Sequence, residues 1–150
     1  MKALVCREIA EGTDHLKLED VALPPLGESE VRNRVRAASV NFPDLLMAQG
    51  KYQFKPELPF VVGGEAAGDV IAVGGGISDV RVGERVIVGG TTGAFAQEMQ
   101  ASHTAVRPIP EGVDYADAAS FTVAYLTAYV ALVRRGELQR DETLLVHGAA

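Results

Sequence analysis

The first hundred residues alternate between apolar and polar positions in the way that β-strands do. Residues 1 to 6 form a short apolar run, and residues 16 to 21 alternate in part. Residues 30 to 40 show the clearest pattern, with apolar and basic side chains on opposite faces (Val31, Val35 and Ala37 against Arg32, Arg34 and Arg36). We interpret the basic face as a solvated strand face, and an anion site is the alternative.

Glycines separate the apolar stretches that follow. These stretches cover residues 66 to 76, 84 to 90 and 93 to 101, and the chain of 150 residues contains sixteen glycines. Short strands joined by sharp glycine corners are typical of a small barrel. The run of three glycines at 74 to 76 precedes more β-pattern and no helix. It therefore predicts a turn and not a phosphate-binding loop.

Two helices are predicted beside these strands. Residues 42 to 50 predict a short helix, because Pro43 suits its first turn and Gly50 suits its end. A longer helix is predicted after Asp114, which can cap it, since apolar residues then recur at helical spacing (Val123, Leu126, Val130 and Val133). Basic residues suit its negative end (Arg134 and Arg135), and Gly136 is predicted to supply a left-handed cap.

A buried strand is predicted near the end of the sequence. Residues 143 to 147 are mostly apolar and follow a short polar connection from the long helix. Gly148 then opens a tight turn, which is the context of a dinucleotide-binding loop. Only Ala149 and Ala150 come after it, whereas a βαβ unit needs roughly 30 residues or more.

Composition restricts the classes of function. The net charge of −6 argues against a nucleic-acid-coating surface, because neutralising phosphates requires clustered Lys and Arg. No apolar run approaches the length that crosses a bilayer, and the first residues lack the pattern of a signal peptide. The single cysteine, Cys6, excludes an internal disulfide and a cysteine-rich zinc site. We therefore expect a cytoplasmic protein without nucleic-acid or membrane partners.

Four segments, taken in order, resemble the medium-chain dehydrogenase/reductase superfamily, and most of all its zinc-independent quinone oxidoreductase branch. They are VNFPDLLMAQGKY, LPFVVGGEAAGDVIAVGGGISDVRVGERV, GAFAQEMQA and AYLTAYVALVRRGELQRDETLLVHGAA. The resemblance implies a mainly β catalytic domain, a GroES-like barrel with short helices, at residues 1–121. Residues 122–150 would then be the joint helix and first strand of an incomplete Rossmann domain that binds NADPH, ending inside the cofactor loop.

The resemblance also assigns the site residues. In the zinc-dependent branch a cysteine and a histidine occupy the positions that here carry Asn41 and Gly64, so no metal is expected. Asn41 and Tyr52 are the implied catalytic residues, and Asn41, Thr127 and Gly148 are the implied cofactor-binding residues. The three histidines are far apart in sequence and are interpreted as surface or packing residues (His15, His103 and His147).

Each of these assignments has a structural alternative. Asn41 could cap the short helix, and Tyr52 could be a barrel aromatic whose hydroxyl contacts water. Thr127 could pack in the long helix and bond to its own backbone. Asp44 and Glu65 are weaker candidates as proton carriers, because each could equally anchor a turn.

The implied function is NADPH-dependent, zinc-independent reduction of quinones or activated alkenes by hydride transfer, with a small quinone or enone as substrate. The full-length protein is expected to be a homodimer. An enoyl-thioester reductase of the same superfamily and a free-standing GroES-like interaction module without redox activity are the alternatives. The 150 residues alone are expected to be inactive, because most contacts of a dinucleotide site follow its first strand.

Overall fold

The computed structural model describes residues 1–148, whose framework is eight strands in two antiparallel sheets. The strands are β1 (Lys2–Cys6), β2 (Lys17–Asp20), β3 (Glu30–Ala38), β4 (Phe60–Val61), β5 (Glu65–Val73), β6 (Arg85–Gly89), β7 (Glu98–Ser102) and β8 (Val106–Pro108). One sheet has the order β2–β1–β4 and the other β7–β3–β5–β6–β8. A bridge between Ala3 and Ala96 connects the two sheets, which curl into a half-barrel. The predicted mainly β barrel is confirmed.

The strand β3 explains how the barrel core is filled. Val31 and Asn33 point inward and are buried, while Arg34 and Arg36 are exposed on the other face. Apolar side chains from the larger sheet and from the loop before β7 complete this core (Val31, Ala66, Val70, Val86, Val88, Ala94, Met99 and Val106). The alternation of β3 therefore reports the burial of one face, as the sequence predicted.

Two of the three arginines on β3 bind partners within the chain. Arg32 donates to the Pro24 carbonyl oxygen at 2.8 Å and to Gln100 Oε1 at 3.0 Å. Arg36 Nε donates to Asp69 Oδ2 at 2.7 Å. These bonds favour the interpretation of this face as part of the scaffold over an anion site.

The short helix α1 (Phe42–Ala48) forms where the sequence predicted it. Pro43 lies in its first turn, where its missing N–H leaves no helical hydrogen bond unmade. Gly50 follows the helix with φ of +67°, so it adopts the left-handed conformation that glycine favours.

The long helix α2 (Tyr115–Tyr129) continues as a π-helical segment from Val130 to Arg135. The Asp114 side chain accepts the Asp117 backbone N–H at 2.8 Å, so the predicted cap is confirmed. The predicted left-handed cap at Gly136 is wrong, since its φ is −81°. The left-handed conformation lies one residue later, at Glu137 with φ of +49°, because the π-helical turn shifts the point where the chain leaves the helix.

The outer part of α2 has few partners in the barrel. Ala118 and Ala119 are buried against Ala67 of β5, whereas most side chains after Val123 are exposed. The 21 residues Tyr115–Arg135 are long and apolar enough to cross a membrane by length and composition alone. The expectation that no apolar stretch approaches the length needed to cross a bilayer is therefore wrong, because the α-helix and its π-helical continuation are uninterrupted.

The strand predicted at residues 143 to 147 does not form. This segment has no assigned strand and its apolar side chains are exposed, with Leu145 73% accessible. A strand requires a neighbour that accepts and donates its backbone hydrogen bonds, and the described residues 1–148 place none beside it. Gly148 lies in a turn with φ of +69°, and the remaining two residues of the predicted loop, Ala149 and Ala150, lie outside the described residues.

The three glycines at 74–76 form a turn between β5 and β6, as predicted. A Cβ at position 74 would lie 2.2 Å from the Gly27 carbonyl oxygen and 2.4 Å from that of Glu28. At position 75 it would meet no atom within 4 Å. Gly74 therefore allows the close approach of two backbone segments, and Gly75 does not contribute to it.

We expect Gly74→Ala to lower the free energy of unfolding by roughly 1–3 kcal/mol, because the added methyl group overlaps backbone atoms that cannot move away alone. Gly75→Ala is the matched control and should change stability much less. Denaturant unfolding of both variants measures the difference. Equal destabilisation by the two substitutions would contradict the close approach.

A polar cluster fastens the start of α2 to the barrel. Tyr115 donates its hydroxyl hydrogen to Asp69 Oδ1 at 2.5 Å, and Arg36 binds the other oxygen of the same carboxylate. The Arg85 guanidinium lies 4.5 Å from the centre of the Tyr115 ring. The Tyr115 hydrogen bond, with the neighbouring Arg36 charge, holds the pKa of Asp69 below its ordinary value.

We expect Tyr115→Phe to cost about 1 kcal/mol of stability at neutral pH, because one charge-assisted hydrogen bond at a partly exposed carboxylate is lost. Since the pKa of Asp69 is lower in the folded protein than in the unfolded chain, this contribution is complete above roughly pH 4. The contribution of this hydrogen bond to stability disappears as the pH falls through the pKa of Asp69 in the folded protein. Unfolding measured from pH 7 down to pH 2 should show the two proteins converging in acid.

Tyr129→Phe is the control, because Tyr129 lies exposed on the same helix. Its unfolding free energy should follow the unsubstituted protein at every pH. A Tyr115→Phe difference that stays constant with pH would show that the Asp69 bond is not its source.

Candidate functional site

One buried carboxylate lies where the barrel, the connection to α1 and the helix α2 meet. Glu65 is the first residue of β5 and only 1% of it is accessible. Its Oε2 accepts the Ser39 hydroxyl at 2.8 Å, and its Oε1 accepts the backbone N–H groups of Thr122 at 2.5 Å and Val123 at 3.1 Å. Glu65 therefore links three segments that are far apart in the sequence.

The Asn41 side chain joins this network through its nitrogen. Asn41 Nδ2 donates to Ser39 Oγ at 2.9 Å and to Glu65 Oε2 at 3.4 Å. The Ser39 hydroxyl thus accepts from Asn41 and donates to Glu65. The direction of these bonds fixes the orientation of the Asn41 amide, because a carboxylate oxygen can only accept.

The bonds from α2 are unusual for the middle of a helix. There, a backbone N–H ordinarily donates to the carbonyl four residues earlier. The N–H groups of Thr122 and Val123 both reach one oxygen of Glu65, so a negative charge meets backbone N–H groups part-way along the helix. Glu65 in this way binds the backbone of α2, which carries Thr127 further along.

Asp44 is a second buried carboxylate at this place. Its Oδ2 accepts the Asn41 backbone N–H at 2.8 Å, which forms part of the capping box of α1. Burial raises the pKa of Asp44, hydrogen bonds from the backbone of Asn41 and Gly64 oppose that shift, and the nearby Glu65 charge adds to it. Asn41 is therefore both the cap residue of α1 and a member of the Glu65 network.

Two glycines set the approach to Glu65. Gly63 has φ of +96°, and a Cβ there would lie 2.4 Å from the Phe95 ring. A Cβ at Gly64 would lie 3.2 Å from the Gly90 carbonyl oxygen and 3.7 Å from Asp44 Oδ1. The Gly-Gly-Glu sequence thus lets Phe95 and Asp44 pack directly against this backbone.

Tyr52 takes no part in the hydrogen bonds of this network. Its ring is partly buried against an apolar cluster (Cys6, Met47, Ala48, Phe60 and Val62). A cleft of about 510 Å³ opens between α1 and the first sheet, and its lining includes Val40 and Asp44 on either side of Asn41. The rest of that lining is largely apolar (Leu4, Thr13, Leu16, Leu45, Val62 and Phe95).

Thr127 and Gly148 lie further away along the chain. Thr127 is exposed on α2, five residues after Thr122 and so about 7 Å further along the helix axis. Gly148 is exposed in its turn. The structure places Asn41 at the junction, Tyr52 against the apolar cluster beneath α1 and the other two residues on open surface, so their roles toward a cofactor stay predictions.

Sequence reasoning ranked Glu65 low and did not single out Ser39. The sequence does contain a signal for Glu65, which is the one charged residue in the run from Leu58 to Gly68. A charge that is buried in such a run needs hydrogen-bonding partners, so it indicates a polar network. Ser39 carried no such signal, since a serine at the end of a strand is ordinary.

Metal-ligating side chains do not cluster in the described part of the chain. Within residues 1–148 no group of three His, Cys, Asp or Glu side chains is arranged to hold a metal ion. The residues beside the carboxylates of Asp44 and Glu65 add no further metal ligand of this kind, because Asn41 carries an amide and Gly64 has no side chain.

Residues 27–111 match the family model described as the alcohol dehydrogenase GroES-like domain. The chain belongs to this family. The expected membership of the medium-chain dehydrogenase/reductase superfamily and the GroES-like fold are thereby confirmed.

Named relatives of this GroES-like domain include oxidoreductase-like proteins. It is 39% identical over 151 residues to the quinone oxidoreductase-like protein 2 homolog of Nematostella vectensis, covering 99% of this chain and 40% of that protein. It is 40% identical over 141 residues to the human synaptic vesicle membrane protein VAT-1 homolog, covering 93% and 36% of the two chains. The chain thus spans well under half the length of these curated relatives.

A solved structure extends the comparison to a cofactor complex. The structure of a mycobacterial protein complexed with NADPH matches this GroES-like domain with a TM-score of 0.86 and 32% identity. The match covers 95% of this chain and 44% of that one. The half-barrel and α2 therefore share their arrangement with a protein that holds a dinucleotide.

Proposed function

We propose that this chain is the catalytic domain of an NADPH-dependent, zinc-independent oxidoreductase that reduces quinones or activated alkenes. The family membership and the quinone oxidoreductase-like relatives support the reaction class, and the NADPH complex of a similar structure supports the cofactor. The observation that carries the proposal is the junction itself. There Asn41 and Gly64 carry the positions that the family resemblance assigns to zinc ligands in the zinc-dependent branch, and Asn41 is held by Ser39 and Glu65.

The residues present fit the nicotinamide end of the cofactor. Asn41 and Tyr52 supply an amide and a phenol near the cleft, and Thr127 supplies an exposed hydroxyl on α2. Gly148 has the positive φ that suits a tight turn in which the backbone approaches a pyrophosphate. In this proposal Asn41, Thr127 and Gly148 hold NADPH, and Asn41 and Tyr52 lie closest to the reaction.

NADPH, when bound, supplies the hydride, while the protein supplies orientation, electrostatics and the exclusion of water. The substrate gains negative charge on its oxygen, which needs a hydrogen-bond donor in the absence of a metal. In this mechanism Tyr52 donates to that oxygen from an apolar surface that keeps water away. Asn41 orients the nicotinamide, and its own orientation is set by Ser39 and Glu65.

The exposed side chains on α2 fit the proposed role of joint helix. Phe121 and Tyr125 stack with their ring centres 5.1 Å apart, and further apolar residues on the helix are also exposed (Leu126, Tyr129, Val130 and Val133). We propose that this surface packs against a cofactor domain in a cytoplasmic, homodimeric full-length protein, with domains dividing near residue 121.

We expect purified full-length protein to contain no stoichiometric zinc, because an amide and a glycine replace the thiolate and imidazole that zinc prefers. Elemental analysis after dialysis measures this directly. Activity that persists in the presence of a chelator is the companion observation. One zinc per chain that the chelator removes together with activity would overturn the zinc-independent assignment.

We expect Asn41→Ala and Tyr52→Phe to reduce turnover in the full-length protein more than they reduce stability. An orienting amide and a single donor to a developing charge each contribute roughly tenfold to a thousandfold in rate. Steady-state reduction of a quinone and of an enone with NADPH, beside thermal unfolding, separates the two effects.

A different result is expected if Asn41 acts only as the cap of α1. Its loss would then cost roughly 1 kcal/mol of stability and leave turnover per folded molecule unchanged. Tyr115→Phe is the control for the tyrosine, because the Tyr115 hydroxyl binds Asp69 outside the proposed site. It should leave turnover close to that of the unsubstituted protein.

A further inference from the structure

The hydrogen bonds of Glu65 leave neither of its oxygens available for proton transfer to a substrate. Its two oxygens offer about four acceptor positions. Ser39 and Asn41 approach one oxygen, and the backbone of Thr122 and Val123 approaches the other. With 1% accessibility, neither oxygen faces a site where a substrate could give or take a proton.

We propose that Glu65 is a positioning residue that ties the orientation of the Asn41 side chain to the placement of α2. One oxygen fixes the helix through two backbone groups, and the other fixes Ser39 and Asn41. The proposal rests on the proposed function, in which Asn41 and Thr127 face the same cofactor from these two elements. Glu65 then sets the relative position of Asn41 and α2 without itself touching the cofactor or the substrate.

The donors on the two sides of Glu65 differ in a way that makes the inference testable. The backbone N–H groups of α2 can only donate. In Glu65→Gln the single oxygen must therefore stay with Thr122 and Val123, and the new NH2 group must face Ser39 and Asn41. Asn41 Nδ2 then meets another donor and has to turn, while the helix contact remains.

The first measurement is NMR of the 150-residue chain labelled with ¹⁵N-asparagine. Asn33 and Asn41 are the two asparagines of the sequence, so each protein gives two side-chain NH2 pairs. Asn33 is buried on β3 and has no bond to Glu65, which makes it an internal control. We expect Glu65→Gln to shift the Asn41 pair and speed its exchange with solvent, and to leave the Asn33 pair in place.

Ser39→Ala is the second variant, because it removes the hydroxyl that bridges Asn41 and Glu65, leaves only their 3.4 Å contact, and keeps both bonds to α2. It should change the Asn41 pair in the same direction and leave the Thr122 and Val123 backbone signals unchanged in a uniformly labelled sample. An Asn41 pair that is the same in both variants and the unsubstituted chain overturns the proposal. Should Glu65→Gln fail to fold, Ser39→Ala alone decides.

The second measurement is kinetics of the full-length protein with NADPH and a quinone. We expect Glu65→Gln to lower kcat about tenfold with a much smaller change in KM, because Asn41 is misplaced and not removed. Combining it with Ser39→Ala should add little further loss, since both act through the same contact. Glu30→Gln is the control, as Glu30 is a half-buried carboxylate that binds Gly27 and Gln100 outside the site.

The outcomes separate the two proposals. A full-length protein that oxidises no NADPH with quinones or enones overturns the proposed function, and the Asn41 signals still decide the role of Glu65. Normal kcat in Glu65→Gln, together with impaired kcat in Asn41→Ala, keeps the function and overturns the positioning role.

Discussion

The arrangement of the junction depends on one buried carboxylate whose acceptor positions are all used. Removing Glu65 from water is unfavourable unless donors replace the lost hydration. The donors come from the connection after β3 and from the middle of α2, since Ser39 lies 26 residues and Thr122 lies 57 residues from Glu65 in the sequence. Because those donors must converge on Glu65, the barrel, α1 and α2 take a defined relative position.

Close backbone contacts of β5 and of the residues before it support the arrangement of the junction. A Cβ at Gly68 would lie 2.0 Å from the Arg34 carbonyl oxygen, so β5 can approach β3 only because glycine is there. Gly63 similarly leaves room for the Phe95 ring. These contacts hold the start of β5 rigidly, and Glu65 is carried on that strand. The precision of the junction thus follows from backbone packing as much as from its hydrogen bonds.

The helix α2 combines two environments along its length. Its first turns are fastened by the Asp114 cap, the Tyr115–Asp69 hydrogen bond and two buried alanines. Its later turns present aromatic and aliphatic side chains to the surface, which is the pattern expected of a helix that packs against a second body. The change between the two environments occurs at Thr122 and Val123, where Glu65 binds.

The sequence by itself determined most of the strands, both helices, the Asp114 cap, the Gly50 cap and the glycine turn at 74–76, because each follows from local periodicity or backbone conformation. It also carried the family resemblance. It did not predict the short strands β4 and β8. It failed at Gly136, where a π-helical turn moved the left-handed residue, and at residues 143 to 147, where an apolar run lacks a paired neighbour. Only the tertiary structure decided that Ser39, Asn41 and Glu65 form one network with α2. Hydrogen bonds between distant segments leave no periodic trace in the sequence, because they depend on which side chains the fold brings within about 3 Å of each other.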